Sequence, residues 1–567
     1  MTAGRSVVAV AAMLGVGWPG AAPGQQFQLP GSAQPSRIQE RLPPQPSAPP
    51  VSPPLTIEST ESAQPPGSEA FRFRLIGVTL TGNEVFGEPD LAGLWRGRLG
   101  QEISLADVYA IAEAITVKYR NAGYILARAV VPPQRIDAGI VRIRVVEGYI
   151  DKVRITGAPE GSRLIDALAA HLTAARPLTA AVLERYLLLL QDLPGAGAQT
   201  VLSPSATTPG AATLTIALKP QAVSGFTTLD NRGSRFVGPL QTSVGGQING
   251  IFNRFDATQL QFLTTPYRLD QLRYGAVTHV EPIGDEGTLL SLSGSYAETQ
   301  PGSSLKPLGI DGRSLIASAL LQHPWIRSRS ENLYGRVSVD FHNTTTDLLN
   351  DTVVLYKDRL RVLRLGGTYN IADAWQGTNE ATLVLSQGLP ILHASRDGSP
   401  ELSRAAGRSD FTKLNLDLSR LQQIDDNWSV LIAATGQYAF VPLLVAEQYG
   451  LGGTLYNRAF DPAEMLGDSA LAGKIELRYS DSPGYEYLHN YQIYTYLDAG
   501  RVWTLQTPPG QHGAQGAASF GIGARLDFNE TFSGGVEGAL PIGRRVAAYA
   551  PHGGTAPRAF FNLIARF

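Results

Sequence analysis

The segment "YGLGGTLYNRAFDPAEMLGD", residues 449–468, sets a glycine pair, Gly452 and Gly453, ahead of one arginine, Arg458, with Phe460 and an acidic, proline-bearing exit after it. A second segment, "NYQIYTYLDAGRVW", carries Asp498 between Tyr496 and Gly500. No nucleophile or base stands beside Arg458, which lies between Asn457 and Ala459, so the chemistry on offer is charge pairing: an arginine cannot be deprotonated and presents a planar fork of donors that matches a carboxylate. Nothing elsewhere argues for catalysis. The eight histidines are scattered without HExxH spacing, no GxSxG elbow precedes a helix, and no glycine loop ends in Lys-Ser or Lys-Thr. Asp425 and Asp426 are adjacent in an apparent turn and read as solvated. With no cysteine, thiolate metal sites, disulfides and cysteine nucleophiles are excluded. The reading is a chain that is not an enzyme, with no cofactor and no metal.

The elements that position these residues come from the rest of the chain. Its 47 basic and 49 acidic residues leave a formal charge of -2 over 567 residues, and no basic field points to nucleic acid. Residues 1–24 read as a secretory signal peptide: Arg5, an apolar run from Val7 to about Trp18 that is too short to span a bilayer, and a small-residue exit at Ala22 and Gly24. Residues 25–69 are rich in Pro, Ser and Gln and read as an extended linker that cannot fold by itself. A patch from Ser36 to Leu42 has the pattern of one or two helical turns and is a possible plug element.

From Phe71 to about Pro220 a mixed pattern runs twice. The first unit, residues 70–149, opens on a strand "FRFRLIGVTLTG" and continues through a short helix around Pro89 to Arg98. Next comes the helix "SLADVYAIAEAITVKYRNAG", with Leu105, Val108, Ile111, Ala112 and Ile115 at helical spacing and Ser104 as its N-cap. The strands "YILARAVVP" and "GIVRIRVVEG" follow. The second unit, 150–221, repeats the order, so each is β-α-α-β-β. This order resembles that of POTRA domains. The resemblance is carried by Gly123, Tyr124, Pro132, Gln134, Val146, Glu147 and Gly148, which match the first POTRA domain of two-partner secretion transporters.

After Val223 period-two alternation takes over. "KLNLDLSRL" sets Leu414, Leu416 and Leu418 against Lys413, Asn415, Asp417 and Ser419; "GKIELRYS" sets Ile475, Leu477 and Tyr479 against Lys474, Glu476 and Arg478. Alternation alone is equally at home in a sandwich and a barrel. Its extent, from 222 to 567 behind a signal peptide, and the terminal "FFNLIARF" ending on Phe567 favour a transmembrane β-barrel with an apolar band outside and a polar lumen. The transporter family implies sixteen antiparallel strands, and a terminal aromatic such as Phe567 is the signal read by the barrel assembly machinery. "LDNRGSRFVGP" also resembles the family's first barrel strand at Asp230, Asn231, Gly233 and Gly238.

Within that family, a loop between two late strands folds back into the lumen and carries a tip to which Gly452, Gly453, Arg458 and Phe460 are similar; here it spans about 441–468. Asn457 stands where an aliphatic residue is usual. Ala459 replaces a glycine, a change that bears on the backbone of the tip more than on its position. Gln492, Tyr494, Tyr496, Asp498 and Gly500 share one strand face, and Tyr496, Asp498 and Gly500 resemble the motif whose aspartate pairs with the loop arginine. The resemblance therefore implies a clamp of Arg458 on Asp498, since an unpaired desolvated charge is costly. It further implies an outer-membrane exporter of a large, unfolded, β-rich exoprotein, with the POTRA units in the periplasm, outer-membrane lipid and the assembly machinery as further partners, and no nucleic acid. The alternatives are an outer-membrane assembly factor of the same superfamily and a passive porin.

Overall fold

The computed structural model describes residues 29–41, 55–57, 64–157, 162–208, 210–252, 255–507, 513–547 and 553–567. The expected signal peptide, residues 1–24, lies outside them. From Val223 onward, sixteen strands close into one antiparallel barrel. The first, Val223–Asp230, pairs with the last, Arg558–Arg566, from Phe226↔Arg566 to Asp230↔Asn562. Closure leaves no sheet edge exposed to lipid, the condition for crossing a bilayer with strands. Phe567 extends this seam: its N–H donates to the carbonyl of Gly225 at 2.9 Å and its carbonyl accepts from Gly225 at 2.7 Å.

Alternation sorts the wall into two faces. Leu416, Leu418, Ile475, Leu477, Ile493 and Leu497 are exposed on the outside, while Lys413, Glu476, Tyr494, Tyr496 and Asp498 are buried within. The aromatic residues Trp325, Trp375, Trp428, Tyr485, Tyr487 and Phe532 are exposed at one end of the barrel, as an interfacial girdle requires. That same end bears the two α+β units.

In the first unit, the helix Leu105–Asn121 buries Val108, Ile111, Ala112, Ile115 and Tyr119 against its sheet. Ser104 caps it reciprocally: its Oγ accepts from Asp107 N at 3.2 Å, and its own N–H donates to Asp107 Oδ2 at 2.8 Å. Glu147 ties the last strand to this helix, accepting at Oε1 from the Tyr119 hydroxyl at 2.8 Å and from Val85 N at 2.7 Å. Burial, and then that carboxylate, push the Tyr119 hydroxyl above its ordinary range, so it remains a donor. Gln134 acts as a surrogate strand, its amide bonding both backbone groups of Arg142.

Three expectations change. The opening strand "FRFRLIGVTLTG" is two strands, Arg72–Arg74 and Gly77–Thr81, in different sheets, because Arg72–Arg74 pairs with Glu102–Ser104 just ahead of the helix. The strand read over "YILARAVVP" is only Arg128–Val130. The Pro-rich segment is not structureless throughout. Gly31–Ala33 and Pro35–Arg41 form 3-10 helices packed inside the barrel, with Leu29, Ala33 and Ile38 buried, and Leu55–Ile57 is a strand. Such a segment lacks a core of its own; the barrel wall supplies one.

The second unit docks on the barrel mouth through its helix Ala180–Gln191 and the residue after it. Arg327, at the end of a barrel strand, forms a bidentate pair with Asp192 at 2.7 Å through each nitrogen. Glu286, in a barrel turn, accepts from Tyr186 at 2.9 Å and from Arg185 at 3.0 Å, and His171, stacked on Tyr186, lies 3.0 Å from Asp285.

Candidate functional site in the barrel lumen

The strands Trp428–Ala439 and Ser469–Asp481 are neighbours in the barrel, and the chain between them, residues 440–468, folds into the lumen. Its tip is shaped by its glycines. Gly452 and Gly453 have φ of 112° and 106°, and a Cβ on Gly452 would stand 2.0 Å from the carbonyl oxygen of Asp461. Gly453 N donates to the carbonyl of Phe460 at 3.1 Å, which closes the tip, and Phe460 is buried beside Leu451, Tyr456 and Met465. The left-handed residue of the tip is Asn457, φ 56°, a residue type that tolerates that region. Ala459 is not among the positive-φ residues, so alanine in place of glycine carries no strain; its N–H donates to Ser519 Oγ at 3.1 Å.

Arg458 is 4 % exposed and meets more than one carboxylate. Its Nε donates to Asp498 Oδ2 at 3.2 Å, and its Nη1 donates to Glu476 Oε2 at 2.7 Å. The guanidinium stacks on the Tyr496 ring, 3.3 Å from the centroid. Glu537 stands 3.9 Å away and accepts from the hydroxyls of Tyr494 at 2.7 Å and Tyr496 at 2.8 Å. Around these carboxylates lie three further arginines: Arg478 and Arg525 on Glu476, and Arg232 on Glu537. Gly500 makes room, since a Cβ there would lie 2.8 Å from Asn457 Oδ1. Tyr496, Asp498 and Gly500 thus stack, pair and clear space within one inward face.

Two more charged contacts hold the loop. Glu447 pairs with Arg364 at 2.7 Å and Lys413 at 2.8 Å, both from the wall, and Arg364 also pairs with Asp340 at 2.6 Å. Asp468 accepts from Arg404 at 2.6 Å and from the backbone N–H groups of Leu443 and Leu505. The 3-10 helix Pro35–Arg41 grips the loop itself: Arg37 Nη1 donates to the carbonyls of Val445 at 3.0 Å and Gln448 at 2.7 Å. A cavity of about 600 Å³ in the lumen is lined by Arg37, Asp340, Arg364, Lys413, Glu447 and Tyr456, among others.

Sequence reasoning brought Arg458 and Asp498 together but missed Glu476, Glu537, Glu447 and Asp468. Glu476 was already on the polar face of its strand; its height in the barrel follows only from the register, in which it pairs with Tyr496.

A closed barrel whose lumen is occupied by its own anchored loop, with small α+β units on its mouth, defines the class: a POTRA-barrel transporter. Residues 213–526 match the family model of the haemolysin secretion/activation protein ShlB/FhaC/HecB, and residues 73–148 match the POTRA domain, ShlB-type. The chain belongs to that haemolysin secretion/activation family, whose members are outer-membrane β-barrel transporters of two-partner secretion with periplasmic POTRA domains. It is 25% identical over 403 residues to the heme/hemopexin transporter protein HuxB of Haemophilus influenzae, covering 70% of each chain. It is 22% identical to the outer membrane transporter CdiB of Escherichia coli, over 86% of this chain and 82% of that one. The solved structure of CdiB from Escherichia coli superposes with a TM-score of 0.69 at 18% identity, over 92% of this chain and 94% of that one, a likeness of fold.

Proposed function

We propose that this transporter exports one large, unfolded, β-rich exoprotein from periplasm to cell surface, and that the state described is its closed one. The observation that carries the reading is the lumen loop, held by charged contacts on the wall at Arg364 and Glu476 and by a third to Arg404 of the neighbouring loop, with a 3-10 helix locked against it. A passive pore needs no such obstruction. Arg458, Asp498 and Glu476 act as a clamp that sets the loop, Pro35–Arg41 acts as a plug, and Gly452, Gly453, Phe460, Tyr496 and Gly500 shape the seat between them. The working division is signal peptide 1–24, linker and plug 25–69, POTRA units 70–149 and 150–221, and barrel 222–567. The periplasmic units receive the exoprotein and the barrel passes it outward; there is no chemistry to perform and no nucleotide to spend, so folding outside draws the chain through. Lipid and the assembly machinery, reading Phe567, are the other partners, and nucleic acid is not one. Two POTRA units favour export over membrane-protein assembly, the second reading of this superfamily.

Expressed in a Gram-negative host, the mature protein is expected to fractionate with outer membranes, to migrate differently on gels before and after heating, and to deliver its cognate exoprotein to the surface. A soluble periplasmic protein, or one that inserts but exports nothing, contradicts the proposal.

A further inference from the structure

The outward face of the barrel strand Val353–Ala372 changes character along its length. From its periplasmic end it presents Ile371, Tyr369, Gly367, Leu365 and Leu363, and then, at the same alternate positions, Arg361, Arg359 and Lys357. The intervening Leu360 and Tyr356 are buried in clusters on the lumen side, which fixes the direction in which the three cations point. Arg361 lies eleven residues along the strand from Ala372. At a rise of about 3.3 Å per residue and a tilt of about 40°, this places it about 28 Å above the periplasmic turn, at the top of an apolar band about 25 Å tall. The POTRA units sit at the opposite end, so the cations stand at the boundary with the outer leaflet.

None of the three is paired with a carboxylate among the described residues. Arg361 is 6 % exposed, yet every group that holds it is neutral. Its Nε donates to the carbonyl of Leu392 at 3.2 Å, and its Nη1 donates to Asn343 Oδ1 at 3.0 Å and to the carbonyl of Leu360 at 2.7 Å. The Phe341 ring lies 5.2 Å from the guanidinium, and the charged group beside it is Arg359, of like sign. Asp347, within Coulombic reach of Lys357, is engaged by Arg313 at 3.8 Å. On the neighbouring strand, Asn343 and Thr345 stand opposite Arg359 and Lys357 and bring hydrogen-bonding groups but no charge. A buried cation is costly without a counter-charge, and most of all at the edge of hydrocarbon. Below the cations the wall is apolar, with Val337, Val339, Leu365, Leu383 and Leu385 exposed. An anion that carries hydrocarbon chains satisfies both halves of this surface at once.

We propose that Lys357, Arg359 and Arg361 form a binding site for the phosphate headgroup of an outer-leaflet glycolipid, whose acyl chains lie on the apolar wall below. The two guanidinium forks match phosphate oxygens, Arg361 already fixed in place by Asn343 and Leu392, and Lys357 at the upper rim adds a mobile point charge. The inference requires the barrel's place in the outer membrane and is independent of what the barrel exports.

The test uses the full-length protein in detergent, stripped of lipid, titrated with bisphosphorylated lipid A and read by native mass spectrometry. Replacing all three, Lys357→Gln with Arg359→Gln and Arg361→Gln, is expected to lower affinity about a hundredfold. Lys357→Gln with Arg359→Gln keeps the buried Arg361 and all its contacts, so the wall is undisturbed; it should lower affinity at least about tenfold. Lys357→Arg with Arg359→Lys, which preserves the charge, should stay within a fewfold of wild type, and heat-modifiable migration checks the barrel in each variant. Lipid A stripped of its phosphates should bind wild type as weakly as the intact lipid binds the triple variant. Equal affinity of wild type and the Lys357→Gln, Arg359→Gln variant, or equal affinity for lipid A with and without its phosphates, overturns the inference. Displacement of lipid A by millimolar inorganic phosphate would mark a site for the free anion and overturn the assignment to a lipid.

Discussion

Arg458→Ala is expected to cut export sharply, by roughly tenfold or more, while leaving a fully inserted, heat-modifiable barrel. Removing the guanidinium strips Asp498 of its Nε contact and Glu476 of its 2.7 Å partner in one step. Breaking a buried ion pair costs on the order of 3–5 kcal/mol, less where lumen water screens the charges left behind. The strand ladder does not pass through this contact, so the loss falls on the position of the loop. The geometry also ranks the variants. Asp498→Asn leaves Arg458 its shorter bond to Glu476 and should be the milder change. Exchanging the charges of Arg458 and Asp498 should restore little, because Glu476 would then face a carboxylate at position 458. In double-mutant cycles on export, the coupling of Arg458 with Glu476 should exceed its coupling with Asp498. Export by Arg458→Ala at the wild-type level, with the loop in place by limited proteolysis, would show that the clamp has no bearing on transport.

Deletion of residues 71–148 is the second large effect: export should vanish while the barrel still assembles. The barrel's backbone bonds close on themselves, and it is the second unit that meets the barrel mouth, through Arg327 with Asp192 and Glu286 with Arg185 and Tyr186. The first unit takes no part in these barrel contacts and has its own core of Leu91, Val108, Ile111, Ile115 and Val141; it meets the second unit through Ile125 and Leu126 and through the Gly123 carbonyl, which accepts from Ala180 N at 2.8 Å, so its removal bares one side of the second unit but leaves the docking on the barrel in place. The measurement is surface-displayed exoprotein per inserted barrel. Export persisting at full level without the unit would remove it from the transport path.

Much of this architecture is legible in the residues because it rests on local periodicity. The alternation of Leu414, Leu416 and Leu418 with Lys413, Asn415 and Asp417 follows from the pleat, which sends successive side chains to opposite faces, and the faces of Tyr496 and Asp498 follow the same way. What periodicity does not supply is height along the barrel. Glu476 and Glu537 lie on the inward face of their strands, but only the register brings them to the level of Arg458, through the pairs Glu476↔Tyr496 and Glu537↔Gly523. The short strand Leu55–Ile57 and the helix Pro35–Arg41 are illegible for a different reason: both are ordered by surfaces far away in sequence, Thr200 to Leu202 for one and the loop carbonyls of Val445 and Gln448 for the other. Local composition reports none of that. Ala459 shows the converse case: its backbone is not in the left-handed region, which at the tip is occupied by Asn457, so the position accepts a side chain.

The central claim is that an unfolded polypeptide passes through the lumen, and site-specific photo-crosslinking to a stalled exoprotein tests it most directly. With the crosslinker at Asn415, which lines the lumen cavity, the exoprotein should be captured during export; with the crosslinker at Leu563, 52 % exposed on the outer face of the strand that closes the barrel, it should not. Capture at Leu563 and none at Asn415 would place the client at the seam and the lipid rather than in the pore, and would contradict the account.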